Sequence, residues 1–386
     1  MTERLVAYRD LAEHPIVRLL GAERRPEQTE LLFALPGPVA DTVARLVVGS
    51  TGPFAAAARL GLAAGDPRTD AAAGELDELF RRTTEARERL PPLPAAADAS
   101  HLPPRAARLV ATLVDDVRCS RVWSGRAELL ADFHRSDGTG PLATSRVLAF
   151  RDGALRAVER PDPIDLDDLI GFESVRAPLL DDLDRFSRGA TACDALLHGR
   201  PGTGKSATVR AAAHRFAGDG LRLVQLDREE LLHLPALMAS LAGAGPRCLV
   251  FVDDLVLDDA GRFDRALRAA LEGGVDERPG NVLVWVTSNR VSLIGDTFSH
   301  RQDEVDAAEA TAERSALAQR FGRRVRFGLP DLERYLEIAE ALVGRQLGRV
   351  PEDVRERAAL FARLGHGLTP RTARQFALAY RPSDGP

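Results

Sequence analysis

A glycine-rich segment with a single lysine carries the residue types that phosphate chemistry needs. The segment GRPGTGKS, Gly199 to Ser206, has the spacing G-x-x-x-x-G-K-[ST] and lies between a strand-like run and a helix-like run. Its glycines let backbone N–H groups turn inward around phosphate oxygens, and the helix adds the positive end of its dipole. We expect Lys205 to reach the β- and γ-phosphates of ATP and the Ser206 hydroxyl to bind Mg²⁺. The predicted nucleotide-binding residues of this loop are Gly199, Arg200, Pro201, Gly202, Thr203, Gly204, Lys205, Ser206 and Ala207.

Lys205 is the only lysine of the chain. The sequence has 52 lysine and arginine residues in total, so 51 of them are arginine, which is typical of a GC-rich genome. An arginine cannot take the position of Lys205, because its planar guanidinium does not replace a compact ammonium inside the loop. The lysine therefore strengthens the prediction, whereas any single arginine elsewhere is weak evidence.

Two acids follow an apolar run further along the chain. The segment CLVFVDD ends in Asp253 and Asp254, and the carboxyl end of a buried strand is where parallel α/β sheets place ligands. We expect Asp253 to hold Mg²⁺ through water and Asp254 to polarise the attacking water. Many proteins with a similar loop carry glutamate at the second position. The shorter aspartate leaves the rate of hydrolysis open.

The next apolar run, NVLVWVTSN, ends in Asn289. A polar side chain at the tip of a neighbouring strand could orient the water against the γ-phosphate. Thr287 and Ser288 are alternatives for this role, and an asparagine after a strand also fits an ordinary turn.

Five short apolar runs alternate with helix-like segments from Cys193 onward. They cover residues 193–198, 221–226, 248–252, 281–287 and 324–328. Near-continuous apolar runs of this length are typical of a parallel sheet that is covered on both faces by helices. From Asp331 the pattern is helical again. The sequence therefore predicts an α/β fold with a five-stranded parallel sheet, followed by a small helical domain.

The preceding part of the chain has a mostly helical pattern and ends in a short hairpin. The segment LPPLPAAADASHLPP, residues 90–104, contains five prolines and is interpreted as a linker. Residues 145–150 and 154–159 are joined by Arg-Asp-Gly, which predicts a β-hairpin. The segment RPDPIDLDDL, residues 160–169, is interpreted as the hinge to the next domain. The predicted domains are residues 1–160, 161–329 and 330–386.

Composition excludes several other classes of protein. The net charge of −5 and the pI near 6.0 give no strongly basic footprint, so nucleic acid is not favoured as a partner. Three cysteines, Cys119, Cys193 and Cys248, lie far apart, which excludes a disulfide framework and a thiolate zinc site. No run approaches the roughly 18 apolar residues of a membrane span. We expect a cytoplasmic protein with no membrane partner.

These motifs resemble those of AAA+ ATPases, and more specifically the bacterial family catalogued as domain of unknown function 815. The resemblance covers about Leu166 to Tyr380 and rests on the order and spacing of GRPGTGKSATVRA, LRLVQLDREELLHLPAL, FVDDL, LRAALEGG, NVLVWVTSNR, LAQRFG and RTARQF. It implies an AAA+ P-loop core with a C-terminal helical lid that binds ATP and Mg²⁺. The run DLDDLIGFESVRAPLLDDLDRF resembles the adenine-side segment of such modules, which assigns Ile170 and Gly171 to nucleotide binding.

The resemblance also assigns a role to an arginine near the last strand. AAA+ proteins with an RFGR-like stretch use its arginines as fingers that complete the site of a neighbouring subunit, which implies a homo-oligomer, either a ring or an open assembly. Arg320 is the favoured finger and Arg323 the weaker candidate. A finger in trans can contribute roughly 10³ to 10⁵ in rate. The alternative interpretation is a solvated basic face.

A separate physical argument points to Arg371. In GLTPRTARQF we expect Thr369 to cap a helix and Pro370 to be its first residue. Arg371 then lies in the first turn, where the helix dipole disfavours a cation unless an anion lies beside it. The resemblance gives this position to the sensor 2 arginine of AAA+ lids, which reads the γ-phosphate.

Three functions compete for the use of ATP. The favoured one remodels or positions a protein client, but not by threading, because residues 227–235 lack the aromatic and the glycine that threading loops expose. A helicase-loader-like ATPase on DNA is suggested by the Asp253–Asp254 pair and disfavoured by the acidic pI. The third is a nucleotide-gated switch or scaffold with little turnover. Turnover of ATP separates the first two from the third.

Overall fold

The chain forms an α/β protein with two compact units. The computed structural model describes residues 5–12, 14–20, 39–63, 65–89, 101–162, 164–255, 262–272, 278–289 and 317–382. Most of the predicted linker, residues 90–100, lies outside these residues. The first unit comprises Met1–Pro161, Ala217–Val224 and Ser240–Cys248, and the second comprises Asp162–Phe216, Gln225–Ala239 and Leu249–Pro386.

Helices make up most of the described part of the first unit. They are α1 (Arg9–Ala12), α2 (Pro15–Leu20), α3 (Val39–Val48), α4 (Pro53–Arg59), α5 (Pro67–Arg89), α6 (Pro104–Arg118), α7 (Ala127–Asp137) and α8 (Pro141–Thr144). Several begin at a proline, which suits the first turn because a helix leaves that N–H without a partner. Their apolar faces enclose one core, in which Tyr8, Leu76 and Trp123 are fully buried. The mostly helical pattern of this region is confirmed for the described residues.

A β-hairpin closes this helical region, as the sequence predicts. Strands β1 (Val147–Arg151) and β2 (Ala154–Ala157) pair antiparallel, with Leu148 opposite Ala157. Asp152 and Gly153 form the turn, both with positive φ, at 51° and 72°. Two-residue hairpin turns of this kind need positive φ, because their twist then matches that of the strands.

Seven strands form one sheet. The further strands are β3 (Ala195–Gly199), β4 (Leu221–Leu226), β5 (Arg247–Val252), β6 (Val282–Ser288) and β7 (Arg323–Phe327). The spatial order is β2-β1-β4-β5-β6-β3-β7, and β3 pairs in parallel with both β6 and β7. The prediction of a five-stranded parallel sheet is corrected to a mixed sheet of seven strands. The hairpin extends the sheet, and the Leu223 N–H donates to the Arg146 carbonyl at 2.9 Å.

The strands of the middle of the sheet are buried over almost their whole length. Every residue of β3 and β6 is buried, whereas burial alternates along the edge strand β7. Because β3 and β6 run in parallel, with His198 beside Ser288, their carboxyl ends meet at one edge of the sheet. The glycine-rich loop and Asn289 follow these two ends.

Helices accompany the strands and form the C-terminal part of the second unit. They are α9 (Glu173–Ser187), α10 (Lys205–Phe216), α11 (Leu234–Leu241), α12 (Arg262–Glu272), α13 (Leu332–Leu347), α14 (Val354–Phe361) and α15 (Pro370–Ala379). The last three share a core with Tyr335, Ile338 and Phe376. In the described part of the chain, no helix has the length and apolar character of a membrane span.

The start of α15 confirms the predicted cap. The Thr369 hydroxyl accepts the Thr372 N–H at 3.0 Å, and Pro370 is the first helical residue. This cap satisfies a backbone donor that the first turn of the helix would leave unpaired. Arg371 therefore lies in the first turn, as expected.

Candidate nucleotide-binding site

The glycine-rich loop has backbone geometry that only glycine adopts easily. Gly199 ends β3 with φ +146°, and a Cβ at this position would lie 2.1 Å from the Phe327 carbonyl oxygen of β7. Gly204 has φ +92° and immediately precedes α10. The Thr203 hydroxyl donates to the Arg200 carbonyl at 2.9 Å within the loop. The chain thus passes from the carboxyl end of a strand straight into a helix N-terminus, the geometry that binds phosphate groups.

The Lys205 ammonium joins this loop to the end of β6. Its Nζ donates to the carbonyl oxygens of Gly199 and Arg200, both at 2.9 Å, and to Asn289 Oδ1 at 2.8 Å. Lys205 is buried, with 5% of its surface exposed. The predicted loop lysine and the predicted polar residue that follows β6 are therefore in direct contact.

Charged neighbours offset the burial of Lys205. Burial lowers the pKa of the Lys205 ammonium, and the carboxylates of Asp254 and Asp253 act in the opposite direction. The Arg371 guanidinium adds a further lowering of this pKa. Two cations and two carboxylates therefore lie close enough to influence one another. A triphosphate would add the negative charge that Lys205 and Arg371 together favour.

Asp253 is held by hydroxyl groups from two elements. The Ser206 hydroxyl of α10 donates to Asp253 Oδ1 at 2.5 Å, and the Thr287 hydroxyl of β6 donates to the same oxygen at 2.6 Å. Thr287 also accepts the Asp254 N–H at 2.8 Å. Thr287 is an alternative residue for orienting water, and in the structure its hydroxyl bonds the Asp253 carboxylate and the Asp254 backbone N–H. In the sequence, only the position of Thr287 near the end of an apolar run indicates a role at the site.

The oxygen atoms at this point fit a magnesium ion. Mg²⁺ takes oxygen ligands and is usually bound by one or two carboxylates together with water and substrate phosphates. Ser206 and Asp253 supply a hydroxyl and a carboxylate in mutual contact at the start of α10. Mg²⁺ at such a site neutralises phosphate charge during transfer.

Asp254 follows β5 in an unusual backbone conformation. Its φ is +51°, in the left-handed region that only a few non-glycine residues, aspartate among them, enter. The turn is held because the Leu255 N–H donates to the Thr287 carbonyl at 2.7 Å. Asp254 Oδ1 then accepts from Asn289 Nδ2 at 2.7 Å. Backbone strain of this kind clusters at functional sites.

The N-terminus of α15 contacts the glycine-rich loop. The Arg371 N–H donates to the Gly202 carbonyl at 3.2 Å. A Cβ on Gly202, whose φ is +80°, would lie 3.2 Å from the Thr369 hydroxyl oxygen. The Arg371 side chain is exposed. Nothing in the sequence predicts the backbone contact between Gly202 and Arg371, because it joins two segments that are far apart in the chain.

Ile170 and Gly171 lie against the C-terminal helices. Ile170 is partly buried on the core of α13 to α15, and a Cβ on Gly171 would lie 3.1 Å from Ile338 Cδ1. Gly171 has φ +85°, which favours glycine for a second reason. Ala207 of α10 packs on a small cluster that includes Leu166. The segment before α9 thus contacts both α10 and the C-terminal helices.

The two candidate finger arginines have different surroundings. Arg323 opens β7, and its Nε donates to Asp182 Oδ2 at 2.7 Å. Arg185 Nη2 donates to the other oxygen of this buried carboxylate at 2.5 Å. Burial raises the pKa of Asp182, but the bonds from Arg323 and Arg185 outweigh it and the net shift is downward. Arg320 lies partly buried in the turn before β7. Arg323 is thus engaged within its own chain.

The fold and the site together indicate the class of protein to which the chain is similar. A loop with Lys205 and Ser206 follows one strand, Asp253 and Asp254 follow a second, Asn289 follows a third, and a helical segment completes the unit. This is the arrangement expected from the resemblance of the sequence to AAA+ P-loop modules. The chain belongs to the family described as "Protein of unknown function (DUF815)", whose model matches residues 143–383.

Solved structures of a Thermotoga maritima protein, RuvB, are similar to part of the chain. One, described as a Holliday junction branch migration motor, has 19% sequence identity and a TM-score of 0.39, and the match covers 56% of this chain and 63% of that chain. A point mutant of the same RuvB has 19% identity and a TM-score of 0.40, and covers 56% and 65%. The chain thus spans less than two thirds of these structures. No curated protein matches it.

Proposed function

We propose that this protein is an ATPase that binds ATP and Mg²⁺ at the glycine-rich loop and hydrolyses ATP where two subunits meet. The observation that carries the proposal is the contact of four side chains from three separate segments: Lys205 with Asn289, and Ser206 with Asp253. These side chains supply an ammonium, a hydroxyl, a carboxylate and an amide, the set that phosphoryl transfer to water requires.

Each residue has a distinct part in this proposal. The loop N–H groups and Lys205 bind the phosphates, while Ser206 and Asp253 hold Mg²⁺. Asp254 polarises the attacking water, and Asn289 orients that water against the γ-phosphate. The contact between Asn289 and Asp254, at 2.7 Å, supports a shared role for the two.

The C-terminal helices are proposed as a lid on the nucleotide. The contact of α15 with the loop, from the Arg371 N–H to the Gly202 carbonyl, supports this proposal. Ile170 and Gly171 would contact the adenine side, because they lie between the core and these helices. Arg371 would bind the γ-phosphate, which offsets the unfavourable position of a cation in the first turn.

Replacing Arg371 by alanine tests the lid. We expect the affinity for ATP to fall about tenfold, equivalent to about 1.4 kcal/mol, and the affinity for ADP to change less, because Arg371 binds the last phosphate. Isothermal titration of both nucleotides measures the difference. Arg374→Ala is the matched control, since Arg374 is an exposed arginine one turn further along the same helix. Equal losses for ADP and ATP, or an equal loss in the control, would contradict the proposed contact.

A homo-oligomer is proposed because Arg320 would complete the site of the next subunit. The resemblance to AAA+ proteins makes Arg320 the favoured finger and Arg323 the weaker candidate. A mixture of Arg320→Ala and Lys205→Ala subunits is therefore expected to recover part of the ATPase activity, since some interfaces pair an intact loop with an intact arginine. Turnover across mixing ratios measures this recovery. Activity that stays at the level of the separate variants at every ratio would count against action in trans.

The work that hydrolysis drives is proposed to be the remodelling or positioning of a protein partner in the cytoplasm. The exposed Cys119 and Cys193 and the buried Cys248 are all free thiols, which supports a reducing compartment. Nucleic acid is not favoured as the client, given the net charge of −5. Stimulation of turnover by DNA that weakens with rising salt would reverse this preference.

The experiment that tests the proposed ATPase is turnover of ATP by the purified chain with and without Mg²⁺. We expect phosphate release that depends on Mg²⁺ and increases more than linearly with protein concentration, because active sites form between subunits. The alternative function is a nucleotide-gated switch or scaffold, which the short Asp254 side chain keeps open. ATP binding without release of phosphate at any concentration would establish the switch.

A further inference from the structure

Asn289 links the glycine-rich loop to the acid that follows β5. Its Oδ1 accepts from Lys205 Nζ at 2.8 Å, and its Nδ2 donates to Asp254 Oδ1 at 2.7 Å. An ammonium can only donate and an ionised carboxylate can only accept, so these partners also fix which end of the amide is oxygen. Lys205, Asn289 and Asp254 therefore form one continuous hydrogen-bonded chain.

Lys205 uses all of its donors in this arrangement. An ammonium has three N–H groups, and here they point to Gly199, Arg200 and Asn289. A phosphate oxygen that binds Lys205 must therefore replace one of these acceptors. Two of the acceptors are backbone carbonyls of the loop itself, fixed by its geometry. The third is the side chain of Asn289, which is partly exposed and can rotate.

We propose that Asn289 is a latch that competes with the phosphates of the nucleotide for Lys205. Binding of a phosphate opens the bond between Lys205 and Asn289. The released amide then keeps Asp254 as its remaining partner, and the two side chains turn together toward the water. Phosphate binding at the loop thereby controls when Asp254, still bound to Asn289, turns toward the water. This inference rests on the proposed ATPase and adds regulation of the same site.

If Asn289 is a latch, removing its side chain should make the site bind the nucleotide more tightly. In Asn289→Ala, Lys205 has lost a competing acceptor, so the affinity for a triphosphate is expected to rise about tenfold, equivalent to about 1.4 kcal/mol. Maximal turnover should fall, because Asp254 loses the group that orients it. An asparagine that only orients water would lower turnover and leave the affinity unchanged. Opposite changes in affinity and turnover are therefore specific to a latch.

The test uses the full chain, Mg²⁺ and a non-hydrolysable ATP analogue in isothermal titrations, together with kcat and KM for ATP. Asn289→Leu is a second variant of similar size that lacks both the donor and the acceptor. Asn281→Ala is the matched control, because Asn281 immediately precedes β6, at the opposite end of that strand from Asn289. The control should keep wild-type affinity.

Two results would overturn the latch, and they are distinguishable. If wild type binds the analogue and both Asn289 variants bind it equally or more weakly, Asn289 does not compete for Lys205, and the ATPase proposal is unaffected. If wild type itself fails to bind the analogue, the proposed nucleotide site fails and the latch fails with it. Melting temperatures of the variants, compared with wild type, identify any loss of affinity that comes from unfolding.

Discussion

Nucleotide binding is expected to weaken strongly when Lys205 is replaced by alanine. The substitution removes the buried ammonium that contacts both the loop and the end of β6. A hydrogen bond to a charged group contributes up to about 3 kcal/mol, so we expect the affinity for ATP with Mg²⁺ to fall about 100-fold. Isothermal titration or a fluorescent ATP analogue measures the loss, and ATPase activity should disappear with it.

The chain offers two informative comparisons for Lys205→Ala. Arg215→Ala removes an exposed cation from the same helix and should leave the affinity unchanged. Lys205→Arg keeps the positive charge but should also bind poorly, because a planar guanidinium cannot direct donors to the three acceptors that surround Nζ. Full ATP affinity in Lys205→Arg would mean that charge alone suffices. Affinity within threefold of wild type in Lys205→Ala would refute the assignment of the loop.

The second large effect is expected at Asp254. In Asp254→Ala we expect turnover to fall about 10²- to 10⁴-fold, the usual contribution of a positioned acid–base group, while ATP still binds. The reason is that Asp254 contacts Asn289 but not the donors that bind the phosphates in the proposal. Single-turnover phosphate release, measured beside nucleotide titration, separates the two quantities.

Asp227→Ala is the matched control for Asp254→Ala. Asp227 is the first residue after β4, and Asp254 is the second residue after β5. Asp227 is not one of the three side chains in the hydrogen-bonded series Lys205–Asn289–Asp254. The control should retain its turnover. Equal activity in wild type and Asp254→Ala would remove Asp254 from the mechanism and favour another base. An ATP-bound Asp254→Ala variant would also serve to capture the protein partner.

The sequence predicts those parts of the structure that depend on neighbouring residues. The loop from Gly199 to Ser206, the cap at Thr369 and the turn at Asp152 are each encoded within a few positions. Their glycines, proline and hydroxyls have conformational preferences that do not depend on the rest of the fold. For the same reason, the polar residues at the ends of β5 and β6 could be placed at one edge of a sheet.

Contacts between distant segments could not be predicted in this way. The addition of β1 to the sheet depends on which strand edge is left to pair, and no periodicity records that choice. The pairing of Arg323 with Asp182 is one of many that 51 arginines allow. The sequence likewise does not indicate that the Thr287 hydroxyl bonds both the Asp253 carboxylate and the Asp254 backbone N–H. These features follow from three-dimensional proximity, which single-residue preferences do not contain.

Because Lys205 is the only lysine of the sequence, its side chain can be labelled selectively and observed by spectroscopy. As the only lysine, it carries the only side-chain amine of the chain, and it is buried among three hydrogen-bond acceptors. Reductive methylation with ¹³C-formaldehyde would therefore place a single side-chain isotope label at the centre of the site. Its rate of modification would report how often the bonds to Gly199, Arg200 and Asn289 open, and its chemical shift would report which partner the ammonium holds.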